Sequence, residues 1–128
     1  MTQAIHPTVI IVDDEAAVRE ATASLLRSTG LRVSSFASAE DFLGSASPEG
    51  VGCLILDINL PGMSGLELQQ QCLARPQWRR VPIIFITARE DRGDRIRAQA
   101  MRDGAHAFLP KPFIDDELLN AVHSAMAS

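Results

Sequence analysis

The sequence has no excess of basic residues and no long apolar run. Its formal net charge is −4 at pH 7, with 12 Lys and Arg against 16 Asp and Glu. The domain as a whole therefore lacks the positive surface that attracts nucleic acids. No apolar stretch approaches the roughly 20 residues that a membrane-spanning helix needs. We expect neither direct nucleic-acid binding nor membrane insertion by this domain.

Cysteines are also few. Cys53 and Cys72 lack the spacing of a metal site or of a CxxC redox pair. One lies in an apolar run and the other in a helical pattern, so we interpret both as reduced residues that fill space in the core. A disulfide or a redox role is the alternative. The first residues, MTQAIHPTV, have no basic stretch followed by an apolar core, so we expect no signal peptide and a cytoplasmic location.

A length of 128 residues suits one domain, which can bury a core without disulfides or structural metal. We expect a single domain over residues 1–128. Short apolar runs predict five strands, at residues 9–12, 31–36, 53–57, 83–87 and 107–109. Helical patterns follow these runs, at residues 14–30, after Ser38, at 66–73, at 91–102 and after Asp115. The helix at 91–102 has the weakest apolar stripe, and residues 48–52 predict a loop.

The alternation of strands and helices predicts an α/β fold. Strands separated by helices form a parallel sheet that is covered on both faces. Right-handed crossover connections leave few topologies for five such strands. We predict a flavodoxin-like (βα)5 three-layer sandwich with the strand order 2-1-3-4-5.

Polar residues follow four of the apolar runs. Asp13 and Asp14 follow the first run, Asp57 the third, Thr87 the fourth and Lys111 the fifth. They should converge, because the carboxyl ends of parallel strands share one edge of the sheet. Three carboxylates repel one another unless a cation joins them, and oxygen ligands without His or Cys favour Mg²⁺. With an ammonium and a hydroxyl beside them, they predict a phosphoryl-transfer site with an aspartate nucleophile.

Each of these residues also has an ordinary interpretation. Asp13 or Asp14 can cap the following helix, and Asp57 can be a plain strand-to-turn residue. Thr87 can cap a loop, and Lys111 can be a solvated charge. All five stand at matching strand ends, and that coincidence favours the functional interpretation.

Four segments resemble the signature segments of response-regulator receiver domains of bacterial two-component systems, in the CheY-like superfamily. They are VIIVDDE, LILDINLPGMSG, IFITA and AFLPKPF. The resemblance extends from about Thr8 to the last helix, and no core motif residue is missing. The segment VREATASLLRSTGLRVSSFASAEDFL is also similar, less specifically, to the FixJ/LuxR-type subclass.

The resemblance implies a role for each matching acidic residue. Asp57 would be the phosphoacceptor, which takes a phosphoryl group from a sensor histidine kinase in a Mg²⁺-dependent reaction. Asp14 and Asp57 would bind the metal directly, and Asp13 partly through water. The backbone carbonyl of Asn59 would be a further ligand.

The resemblance also implies roles for the other matching residues. Thr87 and Lys111 would contact the phosphoryl oxygens, and Phe108 would act with Thr87 as the conformational switch. The Lys111–Pro112 bond would be a cis peptide, in the one context where that isomer is accessible at low cost. Asn59 and Arg89, two residues past Asp57 and Thr87 respectively, would flank the path of the attacking water, and we expect Arg89 to influence the phosphoryl lifetime.

The implied function is a signalling switch rather than an enzyme, since the domain would catalyse only its own phosphorylation and dephosphorylation. Phosphorylation would control an output domain or effector protein, with transcription as the expected output and a homodimer as a further consequence. The alternative is a stand-alone receiver that acts as a phosphorelay intermediate or a protein-interaction switch.

Three other functions fit the sequence less well. An aspartyl-phosphate phosphatase would need a DxD motif, and Asp57-Ile58-Asn59 lacks the second acid. A nucleotide-binding protein would show GxGxxG or Walker A, and both motifs are absent. A degenerate receiver that binds partners without phosphorylation would have lost part of the site, whereas this site is complete.

Overall fold

The computed structural model describes residues 7–88 and 94–127. Among these residues, the predicted alternation of strands and helices is confirmed. The strands are β1 (Thr8–Val12), β2 (Arg32–Phe36), β3 (Val51–Asp57), β4 (Ile83–Thr87) and β5 (Ala107–Pro110). The helices are α1 (Ala16–Arg27), α2 (Ala39–Ser45), α3 (Gly65–Leu73), α4 (Asp94–Arg102) and α5 (Asp115–Ala127).

All strand pairings are parallel, and the strand order is β2-β1-β3-β4-β5. The predicted flavodoxin-like topology is therefore confirmed. Successive side chains of a strand point to opposite faces of the sheet, so the central strands need apolar residues at every position. One buried cluster joins the sheet to α2, α3 and α4, and the other joins it to α1 and α5. The three layers of the fold follow from these two clusters.

Several element boundaries differ from the sequence prediction. β3 begins at Val51, so the predicted loop at residues 48–52 is wrong for its last two residues. Val51 pairs with Thr8 of β1, and this main-chain pairing outweighs the weak strand preference of Gly52. Pro110 closes β5, which is an edge strand, where proline is tolerated.

The helix boundaries also shift by one or a few residues. α1 begins at Ala16 with Glu15 as its N-cap, rather than at Asp14. α5 begins at Asp115, which the sequence pattern placed as its cap. The first three residues of the predicted helix at 91–102 lie outside the described residues, as does Arg89. No helix in the described ranges is long and apolar enough to cross a membrane.

Gly65 brings the start of α3 against the end of β3. Its backbone N–H donates to the Ile58 carbonyl at 3.0 Å. A Cβ atom at this position would overlap the Asp57 carbonyl oxygen and lie 2.9 Å from Ile58 Cα. Both obstacles are backbone atoms that cannot rotate away, so this glycine sets how closely the helix approaches the predicted phosphoacceptor.

We predict that Gly65→Ala lowers the free energy of unfolding by about 1–3 kcal/mol, because the new methyl group must displace backbone. In most helices the same change is stabilising, by up to about 1 kcal/mol. Gly44→Ala in α2 is the matched control, since a Cβ there meets no atom within 4 Å. Urea denaturation of the two variants should give opposite signs. An increase in stability for Gly65→Ala would contradict the close approach of Gly65 to the backbone of Asp57 and Ile58.

Both cysteines are free and buried, as expected of residues that fill space in the core. Burial raises the pKa of the Cys53 thiol from 9.0 to about 12. Burial also raises the pKa of Cys72 to about 11, although the nearby Arg75 charge opposes the rise. Between about pH 9 and pH 11, both thiols therefore stay protonated in the folded protein, whereas they are ionised in the unfolded chain.

This difference predicts a loss of stability in alkali. Below about pH 9 the thiols are protonated in both states and contribute no pH dependence. Above it the unfolded state releases protons first, so stability falls by about 1.4 kcal/mol per pH unit for each thiol until the folded-state pKa is reached. Denaturation of the native protein and of the Cys53→Ala/Cys72→Ala variant from pH 8 to 11 measures the effect. Equal slopes for both proteins would refute the prediction.

Candidate functional site

The carboxyl edge of the sheet brings the predicted acidic residues together. β1 ends just before Asp13 and Asp14, and β3 ends at Asp57. One carboxylate oxygen from each of the three residues lies within 4.8 Å of the others. Asp13 and Asp57 are buried, with 0% and 4% exposure, whereas Asp14 is exposed. The adjacency of β1 and β3 in the centre of the sheet produces this cluster.

Lys111, which follows β5, places its ammonium among the carboxylates. Its Nζ lies 3.1 Å from Asp13 Oδ2, 3.1 Å from Asp57 Oδ2 and 3.3 Å from Glu15 Oε1. The Lys111 backbone N–H donates to the Thr87 carbonyl at 2.6 Å, which fixes the loop that carries the side chain. The predicted Lys111–Pro112 cis peptide is present.

Sequence reasoning missed Glu15 as a member of this group. It is the third acid of the VDDE segment and could have been found from its position beside two predicted ligands. Its reach to Lys111, which lies 96 residues away in the chain, is a tertiary contact that no local pattern reveals.

Backbone N–H groups anchor one oxygen of each buried carboxylate. Asp13 Oδ1 accepts from the Glu15 N–H at 2.9 Å, and Asp57 Oδ1 accepts from the Asn59 N–H at 3.0 Å. The second oxygen of each, Oδ2, is the one that faces Lys111. Each aspartate is therefore held by its own loop and presents one oxygen to the centre of the site.

Burial and charge act in opposite directions on the ionisable groups. Burial raises the pKa of Asp13 above its usual value, although the Glu15 N–H and Lys111 both lower it, and the neighbouring Asp57 charge raises it further. For Lys111, burial alone would lower the pKa, but the bonds and charges of Asp13 and Asp57 outweigh burial and raise it. The ammonium thus stays charged, and additional positive charge would stabilise the Asp13 carboxylate.

The donor set fits a magnesium ion. Asp13 Oδ2 is buried and has an ion pair with Lys111 but no well-directed hydrogen bond within the described residues. The clustered donors are carboxylate oxygens, which Mg²⁺ prefers over nitrogen or sulfur ligands. The exposed position of Asp14 leaves room for the waters that Mg²⁺ keeps.

Thr87 and Phe108 lie on adjacent strands beside the cluster. Thr87 ends β4 and is 4% exposed. Its hydroxyl is 3.5 Å from the Ala88 carbonyl oxygen. Phe108 is half-buried, with its ring centroid 6.2 Å from that of Phe85, and Arg97 of α4 lies 5.9 Å above the Phe108 ring. The structure thus places Thr87 one residue past the β4 partner of Asp57, and Phe108 against Arg97 of α4.

A second contact that sequence reasoning missed ties α4 to α3. The buried Gln69 donates from Nε2 to the Ala100 carbonyl at 3.0 Å, and Gln70 donates to Asp103 Oδ2 at 2.8 Å. The Ala105 N–H also donates to the Ala100 carbonyl, at the glycine-terminated end of the helix. The carboxyl-terminal end of α4 is therefore anchored.

Comparison with known proteins gives one consistent result. The family profile of the response regulator receiver domain matches residues 9–123. Nodulation protein W of Bradyrhizobium diazoefficiens is 46% identical over 117 residues, which are 91% of this chain and 50% of that protein. The transcriptional regulatory protein FixJ of Azorhizobium caulinodans is 39% identical over 91% of this chain and 53% of its own length. The chain thus spans about half the length of these curated relatives.

Solved structures agree with the sequence relatives. The response regulator StyR superposes with a TM-score of 0.85 at 47% identity, covering 95% of this chain and 60% of that one. The FixJ-N crystal structure superposes with a TM-score of 0.82 at 36% identity, covering 98% of this chain and 96% of that one.

Proposed function

Because the chain belongs to the response regulator receiver domain family, we propose that it is a phosphorylatable switch whose phosphoacceptor is Asp57. The observation that carries this proposal is the environment of the Asp57 carboxylate. One oxygen is fixed by the Asn59 N–H, and the other faces the Lys111 ammonium at 3.1 Å. A nucleophilic carboxylate beside a cation is the arrangement that phosphoryl transfer requires.

Asp13, Asp14 and Asp57 would hold Mg²⁺, and the backbone carbonyl of Asn59 would be a further ligand. When bound, the ion would neutralise negative charge on the phosphoryl oxygens. We expect weak binding, because Mg²⁺ dehydrates reluctantly. The fit of the donors supports this part of the proposal.

In the transfer step, an oxygen of the Asp57 carboxylate attacks phosphorus in line with the leaving group. The phosphorus–nitrogen bond of a phosphohistidine on the sensor kinase breaks, and the ring nitrogen leaves with the bonding electron pair. Lys111 and the Thr87 hydroxyl would donate to the phosphoryl oxygens. Water later attacks phosphorus and releases phosphate and the free Asp57 carboxylate. The domain thus turns over only its own phosphoryl group.

Phosphorylation would be transmitted through Thr87 and Phe108. The phosphoryl group adds up to about two negative charges and new acceptor oxygens, which would draw the Thr87 hydroxyl toward them. Phe108 on the neighbouring strand can then move inward, since an apolar ring gains by losing exposed area. α4 would respond mainly at its amino-terminal end, because Gln69 anchors the other end.

We further propose that the receiver domain comprises residues 1–128 and regulates an output domain or effector protein, with transcription as the output. The curated relatives named as transcriptional regulators, FixJ and TdiR, are about twice the matched length. The proposed location is the cytoplasm, and α4, β5 and α5 form the proposed face for effector contact or for a phosphorylation-dependent homodimer.

The phosphoacceptor is tested by replacement. Small phosphodonors such as acetyl phosphate should label the protein when Mg²⁺ is present and not after chelation. Asp57→Asn should abolish labelling, because the nucleophilic oxygen is lost. The matched control is Asp116→Asn, which removes an exposed aspartate of α5 and should label normally. Intact-protein mass spectrometry measures the added phosphoryl group. Labelling of Asp57→Asn at the native rate would refute the assignment.

The switch is tested with beryllofluoride, a stable mimic of the phosphoryl group. With Mg²⁺, the mimic should change amide exchange in α4, β5 and α5 as well as around Asp57, because Thr87 and Phe108 couple these elements. Asp57→Asn, which cannot hold the mimic, is the control. Molecular mass in solution, measured in parallel, detects a homodimer. Exchange changes confined to the surroundings of Asp57, with none in residues 94–125, would show that the proposed output face is wrong.

A further inference from the structure

Glu15 is the one exposed carboxylate among the three that surround the Lys111 ammonium. Its side chain is 62% exposed, against 0% for Asp13 and 5% for Asp57. Glu15 and Lys111 both line an open groove of about 560 Å³ between α1 and the start of α5. A donor that approaches from this side therefore meets Glu15 beside Lys111.

An ammonium group has three N–H donors and no more. Lys111 has three carboxylate partners, at 3.1, 3.1 and 3.3 Å. Two of these carboxylates, Glu15 and Asp57, accept hydrogen bonds from the ammonium, and Asp13 is its ion-pair partner. A phosphoryl oxygen that binds Lys111 therefore competes with these carboxylates for the ammonium.

The three contacts differ in how easily they are released. Separating Lys111 from Asp13 would leave a buried carboxylate without its counter-charge, which is strongly unfavourable. Asp57 is the acceptor itself and carries the new group. The contact with Glu15 is exposed to solvent, where an ion pair contributes little and its carboxylate can return to water.

We propose that Glu15 is a positioning residue that occupies the phosphoryl-binding direction of Lys111 and is displaced when Asp57 is phosphorylated. This inference rests on the proposed function of Asp57 and Lys111. Glu15 thereby slows capture of the phosphoryl group, because its carboxylate competes with the transferred oxygen for the Lys111 ammonium.

The test replaces Glu15 and measures phosphorylation by acetyl phosphate and by phosphoramidate, which carry different charges. Glu15→Gln keeps the size of the side chain but loses the charge, and Glu15→Ala also removes the acceptor. We expect the second-order rate constant to rise about three- to tenfold in Glu15→Gln and at least as much in Glu15→Ala. Glu20→Gln removes an equal charge from an exposed position of α1 that is not an ion-pair partner of Lys111, and its rate should not change.

The rate constants are measured at low and at high salt. This comparison separates the release of Lys111 from Glu15 from the long-range repulsion between the Glu15 charge and an anionic donor. At about 1 M salt the screening length is about 3 Å, so general repulsion of an anionic donor disappears. A gain that persists there, with both donors, supports the inference. A gain that disappears at high salt, an equal gain in Glu20→Gln, an unchanged rate or a slower rate would each overturn it. Labelling of the native protein and its loss in Asp57→Asn decide the proposed function separately.

Discussion

The ion pairs of Lys111 are the interaction on which the rest of the site depends. They join the ends of β1, β3 and β5, because Asp13, Asp57 and Lys111 each follow or end one of these strands. Two buried carboxylates so close together would repel each other without a cation between them. The ammonium reduces the repulsion between the two carboxylates in the folded state. The site keeps a net negative charge, which a divalent cation can neutralise.

The strand order explains why these residues meet. β1 and β3 are adjacent at the centre of the sheet, and β4 and β5 follow on one side. The apolar strands of the centre could be predicted from the sequence, since a sheet that is buried on both faces needs apolar residues at every position. The residues at the strand ends could then be placed at a common edge without knowledge of any side-chain contact. For this reason the cluster of Asp13, Asp14 and Asp57 was predictable.

Other features were not predictable, because they depend on contacts between distant segments. The start of β3 at Val51 depends on the pairing with Thr8, because Gly52 is a poor strand former and interrupts the apolar run. The contact of Glu15 with Lys111 and that of Gln69 with Ala100 join residues 96 and 31 positions apart. Gln69 in particular has a polar side chain at a buried helix position, where a sequence pattern predicts an apolar residue.

These polar contacts differ in burial and therefore in how easily they are broken. A buried hydrogen bond such as that of Gln69 is costly to break, because the freed groups have no water to bond with. The carboxyl-terminal end of α4 is therefore held by a contact that is costly to break. Glu15 illustrates the other case, since its carboxylate can leave Lys111 for solvent at little cost. In the proposed mechanism, a phosphoryl group at Asp57 would compete most effectively with the exposed contact, while the buried Asp13 carboxylate would keep the ammonium in place.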